Sequence, residues 1–109
     1  MFQENQKQCF VVNYNIDKVY DAILNGAKTI SGFKIKNENK VIHSISISVG
    51  VSLLSWGELV NVSLNDISEN KTEININSCS KLGTELGANS KNRKNIDQLL
   101  NSMTLFLKK

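Results

Sequence analysis

The sequence predicts an α+β two-layer sandwich: a curved, antiparallel five-stranded sheet with two helices on one face, in the order β-α-β-β-β-β-α. Three observations carry this expectation. Apolar and polar residues alternate strictly in several consecutive segments, the mark of strands with one buried face. Two other segments, one near each end, repeat their apolar residues with helical spacing. Short polar turns separate the alternating segments, so neighbouring strands run antiparallel, and a one-sided sheet needs a cover that only the two helices can supply.

The elements follow in order. Residues 1–7 are polar and are expected to be frayed, leaving residues 8–109 as a single domain. Gln8–Val12 is short, apolar and β-branched, and reads as the first strand. Asn15 is placed to cap a helix carrying Val19, Tyr20, Ile23, Leu24 and Ala27 on one stripe, with Asp17 in its first turn. Gly26 lies near the end of that helix, and Gly32 lets the chain turn out again. Phe33 and Ile35 alternate with Lys34 and Lys36, followed by a polar turn at Asn37-Glu38-Asn39-Lys40. The strongest alternation comes next, with Val41, His43, Ile45, Ile47, Val49 and Val51 expected on one face and Ser44, Ser46 and Ser48 on the other. Val60, Val62 and Leu64 alternate with Asn61, Ser63 and Asn65. After the turn Glu69-Asn70-Lys71, Ile74 and Ile76 alternate with Glu73, Asn75 and Asn77. A last helix over roughly Ser90–Leu107 gathers Ile96, Leu99, Leu100, Met103, Phe106 and Leu107 on one face. The first and last strands are expected to pair. The far face of the sheet then carries serine and asparagine and almost no charge.

This order of elements resembles the repeat unit of the TATA-binding-protein fold, and a reduced version of the Bet v 1-like (START-related) helix-grip fold. In detail, Gly50-Val51-Ser52-Leu53-Leu54-Ser55-Trp56-Gly57-Glu58, then Thr72 to Ser78, then Lys91-Asn92-Arg93-Lys94-Asn95-Ile96 is similar to a set of small, uncharacterised bacterial proteins of about this length. Those proteins often carry an aromatic and an acidic residue just before the basic helix start, where this chain has Gly87-Ala88-Asn89-Ser90. The resemblance implies a fold and no activity.

Composition narrows the function classes. With 109 residues, 40% hydrophobic and 21% charged, the chain suits one ordinary globular core. No apolar run is long enough to cross a membrane, and the first residues lack a secretory pattern, so a cytoplasmic protein with no membrane insertion is expected. Cys9 and Cys79 belong to no CxxC or Cys/His cluster, so no metal site is expected and reduced thiols are. Net charge is +3, and Arg93 is the only arginine, which argues against base-specific nucleic-acid recognition. His43 is the only histidine and is expected on the apolar face, satisfied rather than catalytic. No Gly-x-Ser-x-Gly elbow and no nucleophile–base–orienter set can be assembled. No catalytic residues and no cofactor are expected.

Two features remain as candidate sites. Ser90, Lys91, Asn92, Arg93 and Lys94 open the last helix, where free N–H groups attract anions, and the preceding Gly83 and Gly87 let a loop approach a ligand closely. The plain alternative is that these cations are solvated or paired with Glu85 or Asp97. Trp56, beside Leu53 and Leu54, is either an exposed apolar tip or a lid over a pocket, or it plugs the end of the core. The expected function is a small, non-enzymatic binding module for an anionic or amphipathic molecule near the start of the last helix. The alternative is an interaction or dimerisation subunit using the serine/asparagine face or the Leu53–Trp56 hairpin. A weaker alternative is low-specificity nucleic-acid binding through Lys91, Arg93, Lys94, Lys108 and Lys109.

Overall fold

A computed structural model describes residues 5–50, 57–80 and 88–108. The expected order is observed: β1 (Asn5–Val12), α1 (Ile16–Lys28), β2 (Phe33–Asn39), β3 (Ser44–Val49), β4 (Glu58–Ser68), β5 (Lys71–Ser80) and α2 (Ala88–Leu107). The strands form one antiparallel, open sheet in the order β1-β5-β4-β3-β2, so the first strand does pair with the last.

Alternation dictates the layering. Ile45, Ile47, Val60, Val62, Ile74 and Ile76 are all buried and face Val19, Tyr20 and Ile23 of α1 and Ile96, Leu99 and Met103 of α2. Each such aliphatic side chain contributes roughly 1.5–3 kcal/mol by leaving water, so this inner face holds the sheet and helices together. The two helices also pack on each other. A Cβ on Gly26 of α1 would sit 3.0 Å from the backbone at Ser102 and Met103 of α2, so glycine there permits a close helix crossing. Asn15 caps α1 as expected, its side chain accepting from the Asp17 N–H at 2.9 Å. The same side chain donates to the Glu69 carbonyl at 3.2 Å, and Thr72 Oγ1 donates to the Tyr14 carbonyl at 2.8 Å. These two bonds tie the entry to α1 onto the β4–β5 hairpin.

Three expectations are corrected. β1 begins at Asn5 and not Gln8, with residues 5–7 paired to Cys79, Ser78 and Asn77. The long β5 supplies a ladder partner for polar residues that have no pattern of their own. Second, Asn37–Asn39 belong to β2, and the turn falls at residues 40–43, so Val41 and His43 do not continue the β3 alternation. Asn39 Oδ1 accepts from the N–H groups of Val41 at 3.0 Å and Ile42 at 3.4 Å, and His43 adopts φ 52°. That local side-chain bonding competes successfully with the ladder, leaving Val41 90% exposed. Third, α2 starts at Ala88 and not Ser90.

Candidate functional site

α2 is positioned by polar contacts that its apolar stripe does not announce. Asn92 and Asn95 lie one turn apart on the buried side. Ser78 Oγ donates to Asn92 Oδ1 at 2.9 Å, and Asn95 Nδ2 donates to Glu58 Oε1 at 3.0 Å. All four residues are buried. Buried polar atoms must find partners, and these pairs fix the helix against the ends of β4 and β5.

The predicted cationic cluster is therefore divided. Asn92 points inward to Ser78, while Arg93 and Lys94 are exposed. Ser90 and Lys91 are helical, but their side chains lie outside the described residues, as does Trp56 with the whole Leu53–Trp56 hairpin. Because the helix starts at Ala88, Arg93 and Lys94 fall in its second turn. There the dipole penalty expected for cations in a first turn has largely faded. His43 Nε2 lies 3.0 Å from Asp17 Oδ1, and the imidazole meets the Tyr20 ring edge-on at 5.8 Å. The lone histidine thus ties the β2–β3 turn to α1. Among the described residues, no group of three or more His, Cys, Asp or Glu could hold a metal, and no helix is long and apolar enough to cross a membrane.

The outer face of the sheet is where concavity and polar chemistry coincide. Register aligns its side chains in rows. One row runs Lys7, Asn77, Asn61, Ser46, and the next runs Cys9, Asn75, Ser63, Ser44. Small hydroxymethyl groups on β3 beside longer amides on β4 and β5 leave a groove of about 400 Å³ across these rows. Ser46 Oγ donates to Asn61 Oδ1 at 2.8 Å, fixing that amide. The Asn77 Oδ1 is buried and has no hydrogen-bond partner. At the rim, Glu73 accepts from Asn65 at 2.8 Å and from Asn75 at 3.1 Å. Those amide donors hold its carboxyl below the usual carboxylate range. Its neighbour Cys9 has a thiol pushed up, first by desolvation and then by the Glu73 carboxylate. Both cysteines are free. Cys79 pairs with Asn5 and Cys9 with Asn75, so they sit four positions apart along one strand pair, roughly 13 Å at the strand rise and beyond disulfide reach.

Sequence alternation assigns the polar groove residues Ser44, Ser46, Asn61, Ser63, Asn75 and Asn77 to this face. It does not reveal the concavity, because side-chain size across three strands, not along one, makes the hollow. The contribution of Lys7 is missed because β1 is placed too late, and that of Cys9, inside the expected strand, because a short apolar run does not say which face each residue takes.

No family model matches the chain, and no curated protein matches its sequence. Solved structures do share its fold. A protein from Nitrosospira multiformis is similar over 91% of this chain and 92% of its own, with a TM-score of 0.67 and 12% identity. The di-domain ARO/CYC BexL of the BE-7585A biosynthetic pathway matches 95% of this chain, which spans 45% of that protein (TM-score 0.63, 12% identity). A START superfamily protein from Mycobacterium smegmatis matches over 95% of this chain and 97% of its own (TM-score 0.63, 7% identity). The chain has the Bet v 1-like, START-related fold that the order of its elements resembles.

Proposed function

We propose that this chain is a small-molecule-binding module without catalysis of its own, and that its ligand lies in the groove across the hydroxyl-and-amide face. The single observation that carries this reading is the 400 Å³ groove lined by directed polar groups with the Asn77 amide oxygen left unpartnered. An unsatisfied buried acceptor costs roughly 1–3 kcal/mol, which a ligand donor that lets the amide turn recovers. Hydroxyls and amides recognise a hydroxyl- or carbonyl-bearing ligand, and Lys7 at the β1 rim suits an anionic group at one end. The START-related fold supports a binding role, although the same fold is found in aromatase/cyclase proteins such as BexL. Neither His43, engaged with Asp17, nor Cys9, held as a thiol, supplies an activated nucleophile or base in the groove. The free thiols fit a reducing, cytoplasmic setting.

The test is a thermal-shift survey of sugar phosphates, hydroxylated carboxylates, fatty acids and coenzyme A, run on the wild type and on Ser63→Phe. Ser63 is exposed and lines the groove, so phenylalanine fills the hollow without touching the core. A ligand that raises the melting temperature of the wild type and not of Ser63→Phe supports the groove. A ligand that stabilises both equally places the site elsewhere, and silence across the panel rejects these ligand classes.

A further inference from the structure

β1 and β2 are the two edges of the sheet, and they are built differently. β2 has a register shift between Ile35 and Asn37 and exposes Lys34 and Lys36 beside it. A bulge with lysines is a common way to keep an edge from pairing. β1 pairs with β5 through eight consecutive residues without a break, has no register shift of that kind, and no strand lies beyond it among the described residues.

The direction of its free backbone groups can be read across the sheet. The Leu64 N–H donates to the His43 carbonyl on the β3 side at 3.0 Å. In an antiparallel ladder these directions alternate, so Asn61 and Ser63 bond toward β5. Following the register, Ile74 and Ile76 bond toward β1, and Gln8 and Phe10 answer them. The N–H and C=O groups of Asn5, Lys7, Cys9 and Val11 therefore point outward from the edge.

We propose that this edge pairs with β1 of a second copy of the chain, antiparallel, with Gln8 on the two-fold axis, joining two five-stranded sheets into one continuous sheet. Three observations select this occupant and register. Asn5 then opposes Val11 of the second copy, and Lys7 opposes Cys9 of the second copy. Every outward group is satisfied by about eight inter-copy hydrogen bonds; centring on Cys9 instead leaves Asn5 beyond the end of the partner strand. Charge is complementary. Among the described residues Lys7 has no ionic partner, and Cys9, which it would face, lies against the Glu73 carboxylate. The ammonium of each copy thus reaches toward Glu73 of the other, and no like charges stand directly opposed. Finally, the groove opens onto this edge through Lys7 and Cys9, so pairing merges two grooves across the seam and gives each a second lysine. The dimer itself does not depend on a ligand being bound.

The test is sedimentation velocity with amide hydrogen exchange on the full chain, without ligand. A dimer at high micromolar concentration whose Lys7, Cys9 and Val11 amides exchange slowly, and exchange fast on dilution to monomer, supports the inference. A monomer at that concentration, or a dimer with those amides unprotected, overturns it. Lys7→Glu sets a carboxylate against Glu73 of the second copy and is expected to raise the dimer dissociation constant about tenfold or more; an unchanged constant counts against the register. Cys9→Pro removes an outward N–H and no β1–β5 bond, a substitution edge strands tolerate. It is expected to abolish the dimer while far-ultraviolet circular dichroism of the monomer stays intact.

Discussion

Replacing Gly57 by alanine separates two costs that are usually confounded. Gly57 enters β4 with φ +83°, and a Cβ there would overlap the carbonyl oxygens of Gly50 and Val49. Gly32, entering β2, has nearly the same conformation at φ +87°, but a Cβ there meets nothing within 4 Å. Both substitutions impose left-handed strain on an L-residue, about 1–2 kcal/mol. That cost is offset by about 0.4–1 kcal/mol because alanine restricts the unfolded chain. Gly32→Ala should therefore cost about 1 kcal/mol. Gly57→Ala must also push two strand ends apart, and overpacking of this kind adds about 1–3 kcal/mol. Its total is about 2–4 kcal/mol, or a fall in melting temperature of roughly 8–16 °C for a domain of this size. Urea unfolding followed by circular dichroism, with equal m-values for both variants, measures the difference. If the two variants lie within about 0.5 kcal/mol of each other, the close approach of Gly57 to Gly50 is wrong.

Three further outcomes follow from the polar contacts. Asn95→Leu takes a hydrogen-bond donor from the buried Glu58 carboxylate and should destabilise by about 1–3 kcal/mol, with a smaller loss when Glu58→Gln is already present; additive losses in a double-mutant cycle would argue against the pair. Cys9 should be alkylated by iodoacetamide more slowly than an unhindered thiol at the same pH, and Glu73→Gln should speed the reaction, since the carboxylate contributes to the raised thiol pKa; an unchanged rate would remove Glu73 as a cause. Because Glu73 is held below its ordinary range by Asn65 and Asn75, its contribution is present above the unfolded carboxylate pKa and is lost as pH falls through the folded one. Glu73→Gln should accordingly flatten the acid limb of the stability–pH curve, and a curve identical to wild type would contradict the assignment.

Where one residue's chemistry decided its place, the sequence was legible. Ile45, Val62 and Ile74 lie inward because period-2 alternation admits only one buried face, and Asn15 caps α1 because its oxygen can reach the Asp17 N–H. Val41 and His43 extend the same alternation and yet leave the sheet, since a single asparagine side chain, Asn39, bonds the two following N–H groups. Asn92 is polar and sits among cations, so its place beneath the helix is invisible until Ser78, distant along the chain, arrives as its partner. The groove was half legible. Its serines and asparagines were assigned to one face, while the hollow and the Lys7 rim arise only once β1, β3, β4 and β5 lie side by side.

The most direct measurement is backbone-amide chemical-shift mapping of the folded chain titrated with whichever ligand first stabilises it. Saturable shifts are expected at Ser46, Asn61, Ser63, Asn75 and Asn77, with the inner-face residues Ile47, Val60 and Leu99 unmoved. Shifts centred on Arg93 and Lys94 at the head of α2, with the outer face silent, would contradict a site in the groove.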